Sequence, residues 1–178
     1  MDQATALKRL SQWERHGRFV FTRADLAKLF HEDSPRALKD GLRRLVAEGL
    51  LERPARGVYI NALAQSPGSD MIEQIARALR RGEYNYVSLE SALSEYGAIS
   101  QVPLDRLTVM TTGRKGVYKT PYGTIEFVHT KRPVGELLQR MTDVGRPLPL
   151  ATLPAAWSDL KRVGRNTHLV DESMFDHE

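Results

Sequence analysis

The chain has 178 residues, 41% of them apolar and 27% charged, which is the make-up of a packed globular protein rather than a disordered or fibrous one. It contains no cysteine, which excludes disulfides, thiolate metal sites and cysteine nucleophiles. Its net charge of +4 is unevenly placed: residues 1–66 hold 12 Lys or Arg against 8 Asp or Glu, and the remainder holds 14 against 14.

An excess confined to one end suggests an acidic partner for that end, nucleic acid above all, or else a solvated basic surface without a partner. No apolar run approaches the roughly 18 residues needed to span a bilayer. MDQATALKRL also lacks the apolar centre of a signal peptide. A cytoplasmic protein with no membrane partner is expected.

Leu7, Leu10 and Trp13 recur at helical spacing within ATALKRLSQWERHG, which closes on a glycine suited to a helix C-terminus. A helix over about residues 5–16 is predicted. FVFT is a short apolar run, and Thr22 with Asp25 makes a variant capping box that opens a second helix, RADLAKLF, burying Leu26, Leu29 and Phe30. After the polar turn HEDS, Ser34 caps a third helix with Pro35 at its first position, where the missing N–H leaves nothing unsatisfied. That helix runs to about residue 48 and stops at Gly49. At 100° per residue, Leu38, Leu42, Leu45 and Val46 share one face, whereas Arg36, Lys39 and Arg43 lie together on another. LLERP and GVYIN each alternate apolar with polar, and the glycine in the connecting ARG predicts a β-hairpin with Arg53 and Arg56 at its tip.

Helix, short strand, helix, turn, helix and a two-stranded wing is the layout of a winged helix-turn-helix over residues 1–63. The major groove of double-stranded DNA admits a helix, and arginine is the commonest reader of guanine O6 and N7. Arg36, Lys39 and Arg43 are therefore candidate base or phosphate contacts, with Arg44 counted beside them. Thr22 and Ser34, at helix starts, are placed to donate to phosphate, and Arg53 and Arg56 to reach a flanking phosphate or the minor groove. Asp40 interrupts the basic face, so it either accepts from a cytosine amino group or is held by Arg36 or Arg44. A lone winged helix covers few base pairs. Two copies on repeated half-sites are expected, as a weak dimer or as monomers meeting on DNA. Protein docking is the other use such a module has.

AQSPGS, residues 64–69, reads as a linker. Beyond it DMIEQIARALRR is an amphipathic helix expected to open a second, α+β domain over residues 70–170. In YNYVSLESALSEYGAI, Ser88 is suited to cap a helix that contains Leu89, Ala92, Leu93 and Tyr96 and ends at Gly97. RLTVMTT, GVYKT and TIEFVHT read as three strands of a small antiparallel sheet, the first two joined by TGRKG and the last two by TPYGT. GELLQRM and PAAWSDLKRV are later helices, and DESMFDHE, residues 171–178, is an acidic tail with no reason to be ordered. Arg114 and Lys115 stand in a glycine-flanked turn that either lies along a nucleic-acid backbone or is simply solvated.

YVSLESALSEYG, then LTVMTTGRKG, then TPYGTIEFVHT resembles the C-terminal half of the AbiEi-type antitoxins, bacterial regulators of type IV toxin–antitoxin and abortive-infection (phage-defence) systems. That family also begins with a winged helix, so the resemblance covers most of the chain. One element departs: where members often carry A-T-P-E-x-A-L, this chain has ATLPAAWSDL, without the glutamate. The resemblance implies that the first domain represses its own operon by binding inverted repeats in the promoter. It implies that the second counteracts a nucleotidyltransferase-like toxin without a stable complex.

The rival function is a nucleic-acid-processing enzyme or accessory subunit whose winged helix delivers substrate. Its residues are hard to find. His16, His31, His129, His168 and His177 are scattered and never at i, i+4, so no metal site is expected. Glu126 stands five residues before Lys131, the wrong spacing for a magnesium nuclease, and reads as a strand surface residue. No GxxxxGKS, GxGxxG or G-x-S-x-G occurs, and neither a catalytic residue nor a cofactor is predicted.

Overall fold

The computed structural model describes residues 1–65, 68–100 and 105–176. It is a mixed α/β structure whose chain divides into two compact units, Met1–Leu79 and Arg80–Glu178.

In the first unit, α1 (Gln3–Glu14) starts earlier than its apolar spacing implies, because Asp2 caps it and accepts from the Thr5 N–H at 2.9 Å. β1 (Val20–Thr22) leads directly into α2 (Arg23–Leu29), and α3 (Pro35–Ala47) follows behind Ser34, which accepts from the Ala37 N–H. β2 (Leu51–Ala55) and β3 (Val58–Asn61) form the expected hairpin, closed by Arg56 and Gly57. Gly57 has a φ of 83°, a conformation that favours glycine over any residue with a Cβ. α4 (Met71–Leu79) completes the unit. The sheet is antiparallel in the order β1-β3-β2. Leu10, Phe21, Leu26, Phe30, Leu38, Leu42, Leu45, Leu51 and Tyr59 make one continuous core among the three helices and one face of that sheet.

The hairpin departs from simple alternation: all four residues of β3 are buried. β3 is the central strand, and successive side chains face opposite sides, so Tyr59 enters the helical core while Val58 and Ile60 require cover on the other face. α4 packs on β1 and β3 and buries Met71, Ile75, Ala76 and Ala78. The helix expected to open the second domain is thus part of the first unit, and the division falls at residue 79 rather than in the 64–69 segment. Of that segment, Ser66 and Pro67 lie outside the described residues.

The second unit is built from β4 (Asn85–Val87), α5 (Leu89–Glu95), β5 (Arg106–Thr111), β6 (Gly116–Thr120) and β7 (Gly123–His129), then α6 (Val134–Gln139), β8 (Met141–Thr142), β9 (Leu150–Ala151) and α7 (Leu153–Val163). The sheet is six-stranded and mixed rather than small and antiparallel, in the order β6-β7-β5-β4-β9-β8, with β5/β7 and β4/β9 parallel. Strands β5 and β6 are not neighbours, because β7 lies between them. The burial of the two strands explains the swap. β7 carries buried Ile125, Glu126 and Phe127 and suits an interior position, whereas β6 exposes Val117 and Lys119 and suits an edge.

Two polar networks tie this unit together. The Asp159 carboxylate, fully buried, accepts from Tyr86 Oη at 3.0 Å, Ser88 Oγ at 2.8 Å and Arg140 Nη2 at 2.7 Å. Ser88 therefore stands at the start of α5 without capping it through its side chain, since its hydroxyl is turned to Asp159. Burial beside Asp159 pushes the Tyr86 phenol up to about 12. In the other network Arg165 binds Glu90 and Glu126 together, and Arg106 donates to Glu126 at 2.6 Å. Glu126 is only 8% exposed, so it is not the surface residue its position in a strand suggested. The acidic tail is also structured as far as described: Glu172–Phe175 is a 3-10 turn, Asp171 accepts from the Ser173 N–H, and Phe175 stacks on Trp157 at 5.7 Å. His177 and Glu178 lie outside the described residues.

Candidate nucleic-acid interface

Five basic residues of the first unit converge on a concavity between the start of α2, the outer side of α3 and the hairpin. Arg23, Lys39, Arg43, Arg53 and Arg56 line it, over a floor of Leu42, Val46, Gly57 and Tyr59. Its geometry follows from local sequence. Thr22 pairs with Val58, and the Arg23 N–H donates to the Gly57 carbonyl at 3.0 Å, which fixes the hairpin turn against the first residue of α2. In β2 the register shifts between Glu52 and Ala55, around Pro54, which an edge strand tolerates. The shift leaves Arg53 exposed with its guanidinium 5.7 Å from the Tyr59 ring centroid, a cation–π contact. Among the described residues, Arg23, Lys39, Arg53 and Arg56 form no ion pair.

The helical wheel of α3 sorts its charges. Leu38 and Leu45 point inward, so at 100° per residue Arg36, Asp40 and Arg43 point almost directly away from them. Lys39 leans toward the hairpin and Arg44 leans the other way. Accordingly Arg44 donates to the Met1 carbonyl at 2.6 Å and does not line the concavity. Arg36 is exposed one turn nearer the helix N-terminus, outside the concavity itself. Asp40 is held by neither Arg36 nor Arg44. Its carboxylate is 3.7 Å from Arg43 Nη2, and both side chains are open to solvent.

The two helix-start hydroxyls behave differently. Thr22 Oγ1 accepts from the Asp25 N–H at 3.1 Å and donates its one proton to the Asp25 carboxylate at 2.8 Å, closing a full capping box. Since a hydroxyl has a single donor, Thr22 has none left for a phosphate. Ser34 only accepts, from Ala37 at 3.2 Å, and keeps its proton available.

Arg23 is the groove residue that sequence reasoning missed. Its signal lay in its position one residue after the Thr22 cap, but its approach to the wing depends on β1 pairing with β3, which no local pattern announces.

Arg114 and Lys115 lie in the second unit, exposed in the connection between the non-adjacent strands β5 and β6 rather than in a hairpin turn. That connection is braced. Buried Arg80 donates to the Arg114 carbonyl at 2.8 Å and lies 4.2 Å from the Phe127 ring centroid, and the Gly113 carbonyl is 2.7 Å from His129 Nδ1. Of the aromatic residues, Tyr86 is wholly buried, and Trp157 stacks on Phe175 and has Lys161 Nζ 5.0 Å from its ring centroid. Among the described residues no group of three or more His, Asp or Glu could hold a metal ion, and no helix is long and apolar enough to cross a membrane.

The architecture is similar to that of a solved structure. The chain aligns with the crystal structure of the RV2827C protein from Mycobacterium tuberculosis at a TM-score of 0.57 and 17% identity, covering 88% of this chain and 60% of that one. The likeness is one of fold, and this chain spans about three fifths of the other's length. Residues 8–62, from within α1 to the end of β3, match the family described as "Transcriptional regulator, AbiEi antitoxin". The match lies wholly in the first unit, and the segments YVSLESALSEYG, LTVMTTGRKG and TPYGTIEFVHT fall outside it. No curated protein gives a significant match.

Proposed function

We propose that the protein is a DNA-binding antitoxin of AbiE-like type that represses its own operon, with the first unit acting as a winged helix-turn-helix. The observation that carries this reading is the convergence of Arg23, Lys39, Arg43, Arg53 and Arg56 on one concave surface beside the outward face of α3. A helix with that face enters a major groove, Arg36 and Arg43 meet base edges, and Arg23, Lys39, Arg53, Arg56 and the Ser34 hydroxyl hold the flanking phosphates. The family match over residues 8–62 supports a regulator of a toxin–antitoxin system. Inverted repeats in the promoter supply two half-sites for two copies, monomers or a weak dimer, pairing on cytoplasmic DNA.

Counteraction of a nucleotidyltransferase-like toxin, without a stable complex, is the second part of the proposal. It rests on the family and not on a feature of the second unit. Arg114 and Lys115, on a loop braced by Arg80, are the residues of that unit best placed to add a nucleic-acid contact.

The test is a gel-shift titration on the protein's own upstream region against scrambled DNA at two salt concentrations. Four cations on phosphate give a slope of log K against log salt of about −3.6 per bound copy, so affinity falls roughly 150-fold between about 50 and 200 mM salt. Sequence-blind binding would defeat the repressor reading. Incubation with labelled DNA or RNA and Mg²⁺ separates it from the processing-enzyme alternative, since a repressor leaves the strands intact.

A further inference from the structure

The centre of the outward face of α3 holds one residue that a phosphate-binding surface has no use for. Asp40 points with Arg36 and Arg43 directly away from the buried Leu38 and Leu45. It is the sixth residue of α3, beyond the first turn where an acid gains from the helix dipole or caps an N–H. Among the described residues its one ion-pair contact is Arg43 at 3.7 Å, too long for a hydrogen bond, between side chains 55% and 84% exposed. Such a pair contributes little to stability.

We infer that Asp40 is a specificity-determining residue of the DNA-reading face, selecting cytosine at the base pair next to the one read by Arg43. An ionised carboxylate only accepts. In the major groove it meets acceptors at guanine N7 and O6, adenine N7 and thymine O4, and donors only at cytosine N4 and adenine N6. Facing cytosine it is satisfied, and facing the acceptor edges it is desolvated against like partial charge. Arg43, released from its loose contact with Asp40, takes the adjacent guanine. The same charge lowers affinity for arbitrary duplex, because it partly cancels the cations around it. Asp40 thus trades non-specific attraction for discrimination.

The inference rests on the proposed DNA-binding function, and its test keeps the two apart. The full chain and its Asp40→Asn and Asp40→Ala variants each select duplexes from a randomised pool, and binding to a fixed random duplex is titrated in parallel. Wild type is expected to enrich a motif with cytosine beside guanine. Asp40→Asn, isosteric and exposed, is expected to change that cytosine to adenine, the base an asparagine pairs with bidentately. Asp40→Ala is expected to lose roughly 5- to 150-fold preference at that one position, and to bind random duplex several-fold more tightly. Identical motifs from all three proteins would overturn the role of Asp40 and leave DNA recognition standing. If wild type enriches no motif at all, the DNA-reading function falls and the inference with it.

Discussion

Replacement of Asp159 by alanine should unfold the second unit at markedly lower denaturant. The carboxylate has no solvent access and serves three donors: Tyr86, Ser88 and Arg140. Tyr86 and Ser88 are themselves fully buried, and the Arg140 side chain is 16% exposed. Removing the acid strands a cation, which costs about 3–5 kcal/mol when the partner stays buried. It also leaves two hydroxyls without an acceptor, at about 1–3 kcal/mol each in isolation and less in a shared network. A total near 4 kcal/mol is expected, or a fall of about 2–3 M in the urea midpoint for a unit of this size. Trp13 belongs to the first unit and Trp157 to the second, so urea unfolding in a Trp13→Phe background reads the second unit alone. Tyr86→Phe, which removes one donor and strands nothing, should cost only about 1 kcal/mol. An Asp159→Ala loss below about 1 kcal/mol, or one no larger than that of Tyr86→Phe, would refute the argument that the buried charge pair organises this unit.

The groove residues should separate by role. Arg23→Ala, Arg53→Ala and Arg56→Ala should weaken operator and scrambled DNA alike and each reduce the salt slope by about 1, whereas Arg36→Ala and Arg43→Ala should relax preference at one base pair and cost about 1–3 kcal/mol on the operator only. Arg44→Ala should leave DNA titrations unchanged. Thr22→Ala should lower thermal stability by about 1 kcal/mol through the lost cap, with no loss of affinity beyond that. Burial pushes the Glu90 and Glu126 carboxyls up, but hydrogen bonds from Arg165, joined by Asn166 at Glu90 and Arg106 at Glu126, outweigh it and hold both below their ordinary value. Their contribution is therefore complete above the usual carboxylate range and is lost as pH falls through the depressed values. Acid unfolding of the second unit should move to higher pH in Arg165→Ala, followed by Trp157 fluorescence. Tyr86, neutral when folded, should stay protonated until about pH 12, so alkali should destabilise the unit from about pH 10 upward, and Tyr86→Phe should reduce that loss, leaving the smaller share of Tyr96, which burial also pushes up.

The first unit was legible where the code is local. Capping pairs, helical spacing and a glycine turn each act within a few residues, and Thr22, Ser34, Pro35 and Gly57 stand in the structure in the positions those rules assign. Errors began where partners are distant. That β7 and not β6 lies beside β5 depends on which strand offers two buried faces, a property visible only once strands compete for the centre of a sheet. Ser88 looked like a cap because serine before an apolar run usually is one; an aspartate 71 residues away took its hydroxyl instead. The tail looked disordered from its acids, but Phe175 was the informative residue, and its partner Trp157 lies in another helix. At the candidate site Arg36, Lys39 and Arg43 were readable from a helical wheel, while Arg23 required the pairing of β1 with β3, and the withdrawal of Arg44 required the N-terminal carbonyl.

The packing of α4 on β1 and β3 bears on how this domain can be moved or cut. The family match ends at residue 62, yet a fragment ending there would leave Val58 and Ile60 uncovered on the back of a three-stranded sheet. The matched span is shorter than the folded unit. A transplantable first unit of this protein runs to Leu79, and chimeras spliced at the apparent border would aggregate through a surface that belongs indoors.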